Sequence, residues 1–284
     1  MTTNLTPPPA TAPEPAPPAP PRRSSARVVS IVAICLGGAL ALGTLATGTA
    51  NALWSAGPDA GGTQTADVDG IQSLRLDVEA GDLVVAYGDV EEAELDVPDG
   101  ERGWSLTRDG DTLHASNSRP WWASWRMFDW GNERVVLTLP LALEDAELDA
   151  DLDIAAGSIT ASGSFGELVV SISAGDAEVS GSATDLQVDL SAGRGEFDLA
   201  DVTTGDLHIS AGDLDVTLTG SAPSRLGLDV SAGSMRVTVP DATYRVFSDV
   251  SAGNLDNGLR TASDAARTIQ VDLSAGSVSL RPGR

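Results

Sequence analysis

Lysine is absent from this sequence of 284 residues, so its positive charge comes from arginine alone, against 41 acidic residues. The formal net charge of −24 argues against nucleic acid as a partner, because phosphate would be repelled. The chain has two histidines, His114 and His208, and a single cysteine, Cys35, which lies in an apolar run. These are too few ligands for a structural zinc cluster. The sequence therefore predicts neither a metal ion nor a cofactor.

Aromatic residues are also scarce: they make up 4% of the chain, whereas 42% of it is hydrophobic. The core must then be aliphatic and thin, which suits a narrow architecture better than a thick globular one. The sequence lacks the G-x-S-x-G, H-E-x-x-H and P-loop motifs. His208 and Ser210 are spaced as the outward residues of one strand, which explains them without a catalytic triad. We therefore predict no catalytic residue and a protein that is not an enzyme.

A short phrase built around Ala-Gly, mostly Ser-Ala-Gly, recurs through the last 130 residues or so. An earlier copy stands alone at Glu79-Ala80-Gly81. In the later series, the steps from one glycine to the next are 18, 18, 19, 21, 20 and 23 residues. A period near 20 indicates one supersecondary unit that is repeated and stacked. The predicted turn glycines are Gly81, Gly157, Gly175, Gly193, Gly212, Gly233, Gly253 and Gly276.

Before each turn glycine, apolar residues occupy every second position, as in Leu226, Leu228 and Val230. This alternation predicts a half-buried strand, and a second short strand follows the glycine. We therefore predict an all-β fold, a single-stranded parallel β-solenoid with coils of about 20 residues over 68–282. Equivalent strands would lie about 4.8 Å apart along the axis. An up-and-down barrel or a sandwich is the alternative, although neither explains one phrase at every second strand.

The residues between these apolar positions should face solvent and form columns from one coil to the next. Four places before the glycines stand Asp77, Asp153, Ser171, Asp189, His208, Asp229, Asp249 and Asp272. One place after them stand Asp82, Ser158, Asp176, Arg194, Asp213, Ser234, Asn254 and Ser277. We expect Arg194 and His208 to relieve repulsion between the carboxylates stacked on either side of each. A Ca²⁺ site is the alternative to a solvated face that prevents sheet-to-sheet aggregation.

The N-terminal quarter of the sequence predicts that the C-terminal domain is exported from the cytoplasm. Residues 1–27 are rich in Pro and Ala and predict a disordered cytoplasmic tail. Three arginines of this tail precede an uncharged apolar run over 28–50, which as a helix would span about 35 Å. Because basic residues mark the cytoplasmic side, we predict a single-pass cell-membrane protein whose C-terminal domain is extracytoplasmic. A signal peptide cleaved after Ala52 is the alternative.

Between the apolar run and the regular repeats the pattern loosens. Residues 51–67 predict a linker, and the stretch between Gly81 and Gly157 is long enough for about three further coils. Asp109-Gly110 between alternating residues predicts a hairpin. Asp149, Asp151 and Asp153 resemble a Ca²⁺ loop only superficially, because the glycine and glutamate that an EF-hand needs are missing.

An aromatic cluster interrupts this region over 119–131. It could be a patch that contacts a partner or the membrane, or a cap that covers the open end of the solenoid. Its residues are Trp121, Trp122, Trp125, Phe128 and Trp130.

Strand repeats ending in Asp-x-Ser-Ala-Gly-Ser, at 229–234 and 272–277, after one apolar segment, resemble the bacterial putative-adhesin, LiaG-like β-strand-repeat family. That family is largely a domain of unknown function. The resemblance covers about residues 68–282 and implies a β-solenoid ectodomain with a role in the cell envelope. It supplies no catalytic residues.

Two functions are consistent with these patterns. One is a non-enzymatic, adhesin-like binding or structural module whose partner is an envelope polymer or an envelope protein. The other is a membrane-anchored accessory protein of envelope-stress signalling. A β-helix enzyme that processes polysaccharide is a third, but it would need a cleft lined with carboxylates and basic residues.

Overall fold

The computed structural model describes residues 62–98, 103–117 and 134–283. These ranges contain strands, connecting turns and one 3-10 turn at Leu141–Leu143, and no α-helix. The strands are β1 (Gly62–Ala66), β2 (Ser73–Val78), β3 (Asp82–Gly88), β4 (Ala93–Val97), β5 (Trp104–Asp109), β6 (Thr112–Asn117), β7 (Val135–Pro140), β8 (Leu148–Leu190), β9 (Gly193–Ala200), β10 (Thr204–Ile209), β11 (Asp213–Thr219), β12 (Arg225–Val230), β13 (Ser234–Val239), β14 (Thr243–Val250), β15 (Asn254–Asn257), β16 (Arg260–Thr261), β17 (Arg267–Leu273) and β18 (Ser277–Pro282). β8 is one extended run that passes through several coils.

The alternating aliphatic residues point into a single continuous core. In β12, Leu226, Leu228 and Val230 are buried while the residues between them are not. Asn117 is the only polar or charged residue that is buried among those described. Period-two burial of branched side chains, with polar residues on the other side, is the pattern of a sheet with one face on the core.

Equivalent strands pair in parallel, one coil on the next. We call the strands before the turn glycines the leading ladder and those after them the trailing ladder. In the leading ladder, β10 pairs with the end of β8 and with β12. In the trailing ladder, β11 pairs with β9 and β13. The predicted all-β class and solenoid-like stacking of parallel strands are confirmed.

The corner between the two ladders is a column of glycines with positive φ. A Cβ atom added to Gly193, whose φ is 116°, would lie 2.0 Å from the carbonyl oxygen of Gly175. Backbone hydrogen bonds also connect the corners: the Ala211 N–H donates to the Ser191 carbonyl at 3.0 Å. Only glycine combines this backbone angle with so close an approach, which explains the fixed place of the residue in the repeat.

The coils do not stack in chain order at the C-terminal end. β12 and β13 pair with β17 and β18, and these in turn pair with β14 and β15. Gly276 accordingly lies against Gly233, and Gly253 against Gly276. The last strands of the chain are therefore inserted between two coils that precede them, and the coil of β14 and β15 is outermost.

The N-terminal end is built differently. One parallel coil, formed by β6 and β7, lies outside the coil of β2 and β3. Beyond it the pairing is antiparallel: β5 on β6, and β4 on β7 with β1 on β4. The stretch between Gly81 and Gly157 is long enough for about three further coils, but β4 and β5 pair antiparallel as edge strands rather than as rungs. The hairpin at Asp109-Gly110 is confirmed.

β1 also corrects the predicted linker over 51–67. Gly62–Ala66 is short, polar and without aliphatic alternation, so its sequence carries no strand signal. Antiparallel pairing with β4 holds it instead, together with the side chain of Gln64. This side chain donates to the Trp104 carbonyl at 2.9 Å and accepts from the Leu106 N–H at 3.0 Å, which ties β1 to β5.

Several predictions concern residues outside the described ones. The tail over 1–27, the apolar segment over 28–50 and the linker up to residue 61 are among them, and so is the aromatic cluster over 119–131. No helix within the ranges that the structure describes is long and apolar enough to cross a membrane.

Candidate functional site

The outward side of the leading ladder carries the charged column that the sequence predicts. His208 is in register with Asp189 on one side and with Asp229 on the other. Its Nδ1 lies 3.7 Å from a carboxylate oxygen of Asp229. A protonated imidazole at this position would offset repulsion between the two carboxylates.

The same column ends without such compensation. Asp229 is in register with Asp272, and Asp272 with Asp249, so three carboxylates occupy successive rungs at the C-terminal end. The repeat itself supplies this run, since the last three coils all carry aspartate four places before the turn glycine. Like charges directly opposite each other in a sheet are destabilising, and solvent screens the repulsion only in part.

At the other end of the leading ladder, charged side chains form a connected cluster. His114 Nε2 lies 2.7 Å from a carboxylate oxygen of Asp77, and Arg75 lies between Asp77 at 3.4 Å and Asp151 at 3.5 Å. Rung pairing produces this cluster, because β6, β2 and the start of β8 are adjacent strands. The sequence separates these residues by up to 76 positions, and only stacking brings them together.

Asp153 lies at the edge of this cluster. Its pKa is raised above the usual value of 3.8, first by burial and then by the neighbouring carboxylates Asp77 and Asp151, while Arg75 acts in the opposite direction. A carboxyl group of raised pKa beside other carboxylates can serve in proton transfer. Here the group lies on the outward side of a sheet, in a charged surface formed by adjacent rungs.

The trailing ladder carries ion pairs between coils. Arg236 lies 2.6 Å from Asp215 of the adjacent rung, and Arg281 forms an ion pair with Asp256. The hydrogen bond from Arg281 lowers the pKa of the Asp256 carboxyl. Arg194 is in register with Asp176 and with Asp213, as its place in the repeat predicts. Basic residues are thus distributed singly among the carboxylates of this ladder.

The outermost C-terminal coil exposes apolar surface. Phe247 is 54% exposed and Val250 is 40% exposed, both on β14. The inward positions of this coil are partly polar, because Ser248 is in register with the buried Val271, and Asn257 with the buried Leu280. Polar replacements at core positions are typical of a terminal repeat that nothing covers completely.

Asn117, whose side chain holds the corner at Glu79 and Ala80, is not predicted by the sequence. Its Oδ1 accepts from the Glu79 N–H at 2.7 Å and the Ala80 N–H at 3.3 Å, and its Nδ2 donates to the Ala80 carbonyl. It therefore supplies the contacts that a neighbouring corner supplies elsewhere. The signal that could have found it is its position at the end of a strand that has no Ser-Ala-Gly phrase.

The predicted site residues divide into two groups. The predicted turn glycines lie at the corners, in the order 81, 157, 175, 193, 212, 233, 276 and 253. Trp121, Trp122, Trp125, Phe128 and Trp130 lie outside the described residues. Over 62–98, 103–117 and 134–283, no group of three or more His, Cys, Asp or Glu side chains is arranged to hold a metal ion.

This chain is similar to a family model and to solved structures of other proteins. The family model described as Toastrack DUF4097 matches residues 71–281. No curated protein matches the chain. A crystal structure of a "putative cell adhesion protein" from Clostridium sporogenes is 12% identical, with a TM-score of 0.31, covering 78% of this chain and 98% of that one. A "putative adhesin" from Bacteroides fragilis is 12% identical, with a TM-score of 0.41, covering 77% and 95%.

Proposed function

The chain belongs to the Toastrack DUF4097 family, a domain of unknown function, and we propose that it is a non-enzymatic, adhesin-like binding module of the bacterial cell envelope. In this proposal residues 28–50 hold it in the membrane and the stacked coils are extracytoplasmic. The observation that carries the proposal is the leading ladder, whose outward side presents serine and carboxylate groups at successive rungs on an open surface.

A surface that repeats along its axis suits a partner that also repeats. Stacked repeats in general offer extended binding faces rather than enclosed pockets. With a net charge of −24 the protein would repel polyanions, so the expected partner is a neutral or cationic envelope polymer, or an envelope protein with a basic surface. Serine can donate to and accept from hydroxyl groups, and aspartate can accept from them, without a large loss of side-chain entropy.

The proposal is tested by co-sedimentation of the full chain with protein-free, insoluble cell-wall glycan. The variant Asp189→Arg/Asp229→Arg changes two rungs of the leading ladder, and Asp176→Arg/Asp213→Arg is the matched control on the trailing ladder. Binding that is lost in the first variant and retained in the control supports the proposal. Equal binding by both variants, or no binding by the unaltered chain, contradicts it.

Membrane attachment and the signalling alternative are tested separately. An anchored chain stays in the membrane fraction after alkaline extraction, whereas a chain cleaved after Ala52 is released. Deletion of residues 1–21 leaves the predicted apolar segment and its flanking arginines in place. We expect this deletion to leave glycan binding unchanged. A loss of envelope-stress response, with export and binding retained, would instead support the accessory role in signalling.

A further inference from the structure

One edge of β14 is open. The strand pairs with β17 along its length, but on its other edge only Thr243 and Tyr244 have a strand partner among the described residues, which is β16. From Arg245 to Val250 the second edge is free within those ranges. An open edge strand with apolar side chains is a template for pairing with another chain.

The direction of the backbone groups can be read from two hydrogen bonds. The Tyr244 carbonyl accepts from Ala262 on the open side, whereas the Ser251 N–H donates to Leu273 on the β17 side. Since backbone groups alternate along a strand, Val246 and Ser248 present their N–H and C=O groups to the open edge. An antiparallel partner must therefore form its hydrogen-bonded pairs at these even-numbered residues.

The sequence of this edge is complementary to itself. If two copies pair antiparallel about Phe247, Arg245 of each copy faces Asp249 of the other, and the two Phe247 rings face one another. Val246 then lies opposite Ser248, where both residues present their backbone groups. The five facing positions, Arg245 to Asp249, lie within the free stretch of the edge, next to the residues that pair with β16.

Arg245 and Asp249 also lack side-chain partners among the described residues. Neither forms an ion pair or a side-chain hydrogen bond with any residue that the structure describes, and the Arg245 Nε atom is buried without an acceptor. Asp249 ends the run of three successive carboxylates begun by Asp229. A second Arg245 opposite Asp249 would supply the cation that this end of the column lacks.

We propose that the open edge of β14 is a self-association surface, on which a second copy of this chain pairs antiparallel about Phe247. The interface is isologous and closes as a two-fold dimer. It covers the exposed Phe247 side chain. It also continues the hydrophobic core at its C-terminal end, where Val246 and Val250 are incompletely covered. A register shifted by one residue, about Ser248, would set Phe247 against Asp249 and leave both charges uncompensated.

The dimer orients its two copies in opposite directions. β1 lies at the far end of the ladders from β14, so a two-fold axis at Phe247 places the two β1 strands at opposite ends of the paired coils. For a chain anchored through residues 28–50, this is the arrangement of copies carried by two facing surfaces. That last step rests on the proposed function, whereas the self-association does not.

Complementary charge variants test the pairing in the full-length chain in mild detergent, by sedimentation velocity. In Arg245→Asp both facing pairs become acidic, and in Asp249→Arg both become basic. Each variant alone should therefore associate at least about tenfold more weakly than the unaltered chain. Mixed in equal amounts, the two variants should associate again. An unaltered chain that stays monomeric, or a mixture that does not recover, overturns the proposal.

A cross-link tests the register and does not depend on affinity alone. In a Cys35→Ser background, Phe247→Cys should form a disulfide dimer on mild oxidation, because the facing residues are a closely spaced non-hydrogen-bonded pair. Gln187→Cys is the matched control, since it occupies the same outward column in the middle of the ladder and is also exposed. Equal cross-linking of both variants would contradict the register.

Vesicles that carry the full chain separate this inference from the proposed function. Vesicles with the unaltered chain should cluster, while those with Arg245→Asp or Asp249→Arg should cluster only when the two kinds are mixed. Association in detergent without vesicle clustering would retain the self-association and overturn its role between surfaces. The Asp189→Arg/Asp229→Arg variant, whose β14 edge is unaltered, should lose glycan binding but still cluster vesicles.

Discussion

At the residue scale, the position of Asp153 has a direct consequence for stability. Its pKa is raised by burial and by the carboxylates of Asp77 and Asp151, so the folded state holds the proton more tightly than the unfolded chain does. The contribution of this group to stability is therefore full below about pH 3.8 and is lost as the pH rises through the folded-state pKa. At neutral pH the ionised carboxylate weakens the fold.

We accordingly predict that Asp153→Asn raises the melting temperature at pH 7. The gain should shrink as the pH falls through the raised folded-state pKa and should be absent below about pH 3.8, where Asp153 is protonated in both states. Thermal unfolding followed by circular dichroism across this pH range measures the effect. Asp189→Asn is the matched control in the same column, since Ser171 and His208 flank it rather than carboxylates. A melting temperature that falls at pH 7 in Asp153→Asn would contradict the assignment.

Asn117 leads to a second prediction at this scale. Its side chain bonds the N–H groups of Glu79 and Ala80 and the carbonyl of Ala80, and it is 4% exposed. Removing these bonds by Asn117→Ala should reduce the free energy of unfolding by about 1–3 kcal/mol, because buried backbone groups lose their partner. Ser105→Ala removes the half-buried hydrogen bond between the Ser105 and Ser116 hydroxyl groups in an adjacent strand, and this change should reduce the free energy of unfolding by less. Chemical denaturation compares the two, and similar losses would contradict the role of Asn117 at the corner.

At the scale of the element, the glycine corners permit the coils to approach one another. Gly193→Ala would place a methyl group 2.0 Å from the Gly175 carbonyl oxygen and 2.9 Å from its nitrogen, at a φ of 116°. Gly70→Ala is the control, since its φ of 72° is also positive but nothing lies within 4 Å of the added atom. We expect the control to lose about 1–2 kcal/mol from backbone strain alone. Gly193→Ala should lose substantially more, because the adjacent corner must move away. Equal losses in urea denaturation would show that close approach is not the constraint.

Some elements follow from the sequence and others do not. Alternation such as Leu226, Leu228, Val230 determines which side of a strand is buried, and the repeat spacing places Arg194 and His208 between carboxylates, as the pairing shows. The order of the last coils does not follow, because the units ending in Gly253 and Gly276 carry the same phrase. Either unit could lie on Gly233 without changing the buried side of any strand.

The same reasoning explains why β1 and the charged cluster around Asp77 could not be predicted from the sequence. β1 is held by pairing and by Gln64, which leave no periodic pattern, and the charged cluster around Asp77 depends on which strands are adjacent rather than on spacing along the chain. A signal for the terminal coil was present, however. Ser248 and Asn257 stand where the other coils have aliphatic residues, and polar inward positions are expected only in a unit that is incompletely covered.

At the scale of the whole molecule, the insertion of β17 and β18 determines how stability is distributed along the chain. These strands are paired on both edges, whereas β14 is paired on one edge from Arg245 onward and β15 on one edge only, within the described residues. In a solenoid whose coils stack in chain order, the residues nearest the C-terminus would form the outermost and least protected rung. Here they form an internal rung, so protection from exchange should not decrease steadily toward the chain end.

Hydrogen exchange followed by mass spectrometry tests this distribution. Amides of Arg267–Leu273 should exchange more slowly than those of Thr243–Val250, although they lie closer to the C-terminus, because opening them requires the loss of two rung interfaces. A chain that ends after Asp264 should lose protection in both β12 and β14, since β12 would lose one of its two partner strands and β14 would lose its pairing with β17. The variant Arg245→Asp serves as the control for self-association, which could itself protect β14. If β14 exchanges more slowly than β17 in that variant as well, the inverted coil order is wrong.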